Sequence, residues 1–335
     1  MSMKNVRFAA LVFSVVSASV AFAAGEVQKA RFEAWLDPIR QGLNSSSTGS
    51  AAVKKLGTIT PARVAAFNLQ ALGRLYSAED PEFREIAAAF KGLEDGIGQV
   101  DKWNNILAAA EERGEPDKEL KRLRDKIKEA EADFVSYLDS EGWMPGTSSK
   151  AKFRQIESFL ANRVWQSDKK DREMLLGQIL KRLKRIRDTD FDMTKLEEGD
   201  GLHEFRRQLR WFLIEARVLD GLMVFRDNKK DCSIKDYAGL VDEPISESKY
   251  SQLPPSQFNV DACKISQCLF LGFVATVDDI GKIKDKIEAD NNIGGETDEV
   301  PEKYRTKAEE ILKDFEKRGA AREIIKQVEK CGVQG

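Results

Sequence analysis

Leu202-His203-Glu204-Phe205-Arg206-Arg207-Gln208-Leu209-Arg210 contains the only histidine of the 335-residue chain. The stretch is helical in pattern. At about 100° per residue, His203, Arg206, Arg207 and Arg210 share roughly one third of a helix circumference. Four such groups on one arc repel one another. Water, carboxylates from a neighbouring helix, or a bound polyanion has to offset that repulsion.

Helical periodicity extends outward from this stretch in both directions. The helix carrying His203 is expected over about Gly201–Val224. Upstream, helices are expected over Val27–Leu43, from Pro61 to Tyr76, over Phe83–Glu111, Asp117–Leu138, Lys152–Val164 and Asp168–Ile186. Pro61 suits a first helical turn, where its missing N–H costs nothing. Gly114-Glu115-Pro116 separates two of the helices. Downstream, Asp227–Asn259 contains Cys232, Pro244, Pro254 and Pro255 with little periodicity, and reads as an insertion. Helices follow over Lys264–Ala289 and Glu302–Cys331, the last with a bend expected at Gly319. No segment reads as a strand, so the expected class is all-α.

Lysine plus arginine number 54 and aspartate plus glutamate 56, a formal net charge of -2. That balance argues against a dedicated nucleic-acid binder, though not against a local basic patch. Lys4 and Arg7, an apolar run over Phe8–Phe22 and the small-x-small Ala21-Phe22-Ala23 read as a cleavable export signal over residues 1–23. The expected location is periplasmic or secreted, with no membrane span once the signal is removed. Export makes disulfides the natural state of Cys232, Cys263, Cys268 and Cys331. Cys263 and Cys268 are five apart, on different faces of a helix. That pair is disfavoured, and each should bond to Cys232 or Cys331.

Two segments look alike. Phe90-Lys91-Gly92-Leu93-Glu94-Asp95-Gly96-Ile97-Gly98-Gln99-Val100 aligns without a gap on Phe273-Val274-Ala275-Thr276-Val277-Asp278-Asp279-Ile280-Gly281-Lys282-Ile283. Phe, Asp and Ile-Gly coincide. A helix with an arginine precedes each: Arg63 in one case, Arg206 in the other. The pattern implies two roughly four-helix units. Residues 24–57 then form an N-terminal helix and linker, 58–166 the first unit, and 167–335 the second, with an insertion at about 227–260.

With these features the chain resembles a divergent CHAD domain over about residues 58–289. Leu202-His203-Glu204-Phe205-Arg206 with Arg210 resembles the second copy of that family's basic helix, and Ile59-Thr60-Pro61-Ala62-Arg63 the first. Ile280-Gly281 with Asp285, and Ile97-Gly98 with Asp101, resemble the helix that follows. The stretch Leu180–Arg187 resembles the basic helix that often precedes the second copy. The resemblance implies a non-enzymatic protein that binds inorganic polyphosphate or another polyanion through basic side chains. The implied anion-binding residues are His203, Arg206, Arg207, Arg210, Arg63, Lys181, Lys184 and Arg185. The departures are Thr60 at the first histidine position, Phe67, Asn68 and Gln70 after Arg63, and Trp211 and Leu213 after Arg210. They strip part of the basic surface. The alternative is a helical scaffold or protein-interaction module that has lost the ligand.

Other chemistry finds little footing. One histidine with no nucleophile motif gives no triad, and there is no phosphate-cradling glycine loop. Asp188-Thr189-Asp190-Phe191-Asp192 resembles the start of a calcium loop, but Met193 replaces the turn glycine and Gly199 the bidentate glutamate. No cofactor or metal is expected. The cations of Leu180–Arg187 also read as the outer face of an amphipathic helix.

Overall fold

The computed structural model describes residues 25–44, 46, 48–58, 61–144, 151–226, 232–255, 261–294 and 298–332. The expected export signal and Thr60 lie outside them. Pro61 introduces α3 (Ala62–Tyr76), an alanine- and leucine-rich helix with buried residues on almost every face. Small side chains allow this: a helix apolar all round must be surrounded by others. Its neighbours are α1 (Glu26–Asn44), α4 (Phe83–Glu112) and α8 (Leu202–Val218). Gly73 permits a close approach to α4, since a Cβ there would lie 2.8 Å from the Ala87 backbone nitrogen.

α4 and α5 (Asp117–Ser140) form a two-helix hairpin closed by Gly114, whose φ of 70° favours glycine. α2 (Gly49–Thr58) packs on α5. This corrects the expectation of a linker up to residue 57. The helix-breaking serines precede Thr48, whose Oγ1 accepts the Ala51 N–H at 3.2 Å and so caps a new helix. α6 (Lys152–Asn162) and α7 (Asp168–Asp188) follow. The α7 stripe Leu176, Ile179, Leu180, Leu183 and Ile186 is buried, as its spacing requires.

The second part centres on α8, also buried on most of its surface. This helix stops at Val218, short of the expected Val224, because Asp220 and Gly221 turn left-handed at φ 47° and 79°. A short strand, β1 (Met223–Phe225), pairs in parallel with β2 (Cys263–Ile265), Met223 opposite Cys263. The chain is therefore mostly helical with one small sheet, and the expectation of no strand is corrected. Three-residue strands are too short to carry a period. Between them the insertion forms α9 (Lys235–Ala238) and single 3-10 turns. It packs on α10 (Gln267–Gly294), where Tyr237 covers Gly272. Gly319, at φ 69°, divides the expected terminal helix into α11 (Glu302–Arg318) and α12 (Ala320–Glu329). One continuous apolar core runs from α1 to α12.

All four cysteines are paired, as Cys232–Cys268 and Cys263–Cys331. The disfavoured Cys263–Cys268 pair is absent. Disulfides fit an oxidising, extracytoplasmic environment. Among the described residues no helix is long and apolar enough to cross a membrane.

A buried charge fastens α1 to this frame. Arg31 Nη1 donates to Asp171 Oδ2 of α7 at 2.5 Å and to the Tyr76 hydroxyl of α3 at 2.8 Å. The Arg31 and Asp171 side chains are 1% and 3% exposed. Burial raises the Asp171 pKa while Arg31 opposes the shift, and burial also raises that of Tyr76. Removing one partner of such a pair strands the other charge. Asp171→Asn should therefore cost about 3–5 kcal/mol in urea unfolding. The volume-filling double variant Arg31→Met/Asp171→Leu should recover most of that loss. Wild-type stability in Asp171→Asn would rule out this role.

Candidate site between α3 and α8

Along α3, Arg63, Phe67, Gln70 and Arg74 recur at spacings of three and four, which places them on one face. Along α8, Arg206, Arg210 and Arg217, four and seven apart, likewise share a face. The two helices pack against each other, and side chains from these rows meet. Phe67 and Trp211 make an edge contact, ring centroids 6.0 Å apart. The Arg74 guanidinium lies 3.8 Å from the centre of the Trp211 ring. Arg217 Nη2 donates to Asn68 Oδ1 at 3.2 Å.

Each of the two leading arginines lies over a glycine of the next long helix. Arg63 lies against Gly98 of α4, where a Cβ would come within 2.8 Å of its Nη2. Arg206 lies against Gly281 of α10, where a Cβ would be 3.0 Å from its Nη2. Their electrostatic partners differ. Arg63 donates to Glu94 Oε1 at 3.0 and 3.1 Å and to Asp101 Oδ2 at 3.3 Å. Among the described residues Arg206 Nε reaches a backbone oxygen, that of Val277 at 3.3 Å, and no carboxylate.

Arg210 is the least compensated. Its guanidinium stands 5.0 Å from the centre of the Phe67 ring. Its Nε is buried without a hydrogen-bond partner among the described residues. Burial, then Arg206, Arg63 and Arg207, lower its pKa to about 10, with Glu94 opposing. His203, one turn before Arg206, has Nδ1 3.5 Å from Glu197 Oε1, with no hydrogen bond between them. Lys284 Nζ lies 3.5 Å from the same oxygen. Arg207 pairs with the buried Glu204.

The other expected residues divide. Arg185 reaches Glu204 at 3.9 Å, so it joins the edge of the cluster. Lys184 pairs instead with Glu329 of α12 at 3.7 Å. Lys181 is exposed and makes no ion pair among the described residues. Arg182, expected on the outer face, turns inward to a bidentate pair with the buried Glu215 at 2.6 and 3.0 Å. Sequence reasoning missed Arg74, Lys284, Glu94, Glu197 and Glu204. Only Arg74 had a local signal, the shared face with Arg63 and Phe67.

Among the described residues no group of three or more His, Cys, Asp or Glu side chains is placed to hold a metal. In the loop after α7, Asp192 Oδ1 instead accepts the Thr194 N–H at 2.9 Å. No family model, curated protein or solved structure matches this chain.

The single imidazole reports on the cluster. Burial, then Lys284, Arg210, Arg207 and Arg206, lower the His203 pKa from 6.5 to about 4. Between those values the unfolded chain binds a proton that the native state does not. His203 should therefore make stability fall as pH drops from 6.5 toward 4, and His203→Gln should remove that part of the slope. NMR titration of the imidazole checks this, and a midpoint near 6.5 would contradict it.

Proposed function

We propose that the chain is an exported, non-enzymatic, CHAD-like helical protein that binds polyphosphate or a related polyanion at the arginine cluster between α3 and α8. Arg210 carries the reading. A guanidinium with a buried, unpartnered Nε and three other arginines acting on it is costly unless a counter-charge arrives. Phosphate oxygens supply both that charge and acceptors matched to guanidinium geometry.

A duplicated bundle has its own support. The same interval along the chain separates Arg63 from Arg206, Asn68 from Trp211, and Arg74 from Arg217. Arg74 contacts Trp211 while Arg217 contacts Asn68, a reciprocal exchange of the kind a twofold relation produces. Gly98 and Gly281, the glycines under Arg63 and Arg206, coincide in the ungapped alignment. Two disulfides favour a periplasmic or secreted location.

A second reading, a scaffold without ligand, is favoured by the Phe67–Trp211 contact and by Arg63, Arg207, Arg185 and Lys184 already facing carboxylates. Titration calorimetry with long-chain polyphosphate discriminates. Binding is expected at low salt, weakening steeply as salt rises. Arg206→Ala and Arg210→Ala should each lower affinity about 10- to 100-fold, the scale of a charge-assisted hydrogen bond. Undetectable binding at low salt would leave the scaffold reading.

A further inference from the structure

We propose that the cluster takes its ligand end-on, holding one terminal, doubly charged phosphate group between Arg206 and Arg210 while the rest of the molecule points into solvent. This rests on the anion-binding reading above and narrows it to a chain end or a phosphomonoester.

The first argument is the supply of donors. Among the described residues, Arg206 donates to a carbonyl and Arg210 lies on the face of Phe67, and neither makes an ion pair with a carboxylate. Both are partly exposed and lie one turn apart on α8. Arg63 already serves Glu94 and Asp101, and Arg207 serves Glu204. Two neighbouring guanidiniums that make no ion pair among the described residues match a single terminal phosphate, which carries about -1.5 to -2 charge and three acceptor oxygens. An internal phosphate of a chain has one charge and two non-bridging oxygens, so it satisfies the pair less well.

The second argument is what borders the pair. A chain lying along the helices would need a run of cations. Toward α4 it would meet Glu94 and Asp101, and beside His203 it would meet Glu197. Between the helices the path is filled by Phe67 against Trp211, with Arg74 stacked on that indole. Like charges on two sides and aromatic rings on a third disfavour a row of phosphates and leave the single group as the better match.

The third argument compares the two aligned segments. Where α4 has Glu94 and Asp101 around Arg63, the ungapped alignment, extended by one residue, places Val277 and Lys284 around Arg206. The carboxylates that neutralise the first arginine are replaced by an apolar side chain and a cation. The open positive charge therefore lies on one side of the α3–α8 contact. His203 feels the charge of the same cations, so an anion bound among them would act on it in the opposite direction.

The test compares tripolyphosphate, long-chain polyphosphate with free ends, the same polymer with both ends capped as alkyl phosphoramidates, and phenyl phosphate, each titrated into the full protein at low salt. End-on binding predicts similar affinity per molecule for tripolyphosphate and the uncapped polymer. At least a tenfold loss is expected on capping, with competition by phenyl phosphate and an upward shift of the His203 NMR titration when ligand is bound. Arg206→Gln should abolish the difference between capped and uncapped polymer without altering the circular dichroism melt. Equal affinity for capped and uncapped polymer, or more protein bound per chain as the chain lengthens, overturns the end-on proposal and keeps the polyanion reading. Binding of phenyl phosphate alone keeps the terminal-phosphate site and overturns the polyphosphate reading. No binding by any of the four overturns both.

Discussion

The contact between α3 and α8 is the constraint to which the other packing answers. Both helices are buried on most faces, so each must be ringed by others and each must place its few charges within the interior. Arginine allows this because its plane can lie on an aromatic face while its edge seeks acceptors. Arg74 on Trp211 and Arg210 on Phe67 use that property in opposite directions across the contact. Substituting aliphatic residues for those rings would leave the half-buried guanidiniums without a π face.

Charge at the contact is unevenly settled. The α7 side is closed by Arg182 and Glu215, a bidentate pair with Gln208 as a further acceptor at 2.7 Å. The α4 side is closed by Glu94 and Asp101 on Arg63. Toward α10 the pairing is weaker, and this is where the pKa values of Arg210 and His203 are displaced. Burial is the largest cause in both cases. Neighbouring cations add to it in the same direction, and opposing carboxylates would have cancelled it.

What could be read from the sequence follows from how local each determinant is. The boundaries at Pro61 and at Gly114-Glu115-Pro116 are set by backbone chemistry within a few residues, and the helices match them. The α7 stripe and the arc of α8 follow from spacing alone. α2 was hidden because one threonine cap, not composition, restarts the helix after the serines. The strands at Met223 and Cys263 depend on each other across the insertion, so neither announces itself. At the site, the arginines were legible as an arc, but apart from Glu204 on α8 itself the carboxylates come from α4 and from the segment before α8. Whether a given cation is satisfied is decided by tertiary packing, as the inward turn of Arg182 illustrates.

The two disulfides interleave, Cys232 to Cys268 and Cys263 to Cys331, spanning 36 and 68 residues. Their covalent loops overlap in the short stretch between Cys263 and Cys268. A single backbone cleavage anywhere from Cys232 to Cys331 therefore leaves both fragments tethered by at least one sulfur bridge. The proline-containing insertion can be opened by a protease while the polypeptide still travels as one molecule, a form of robustness that depends on connectivity and not on the strength of any contact.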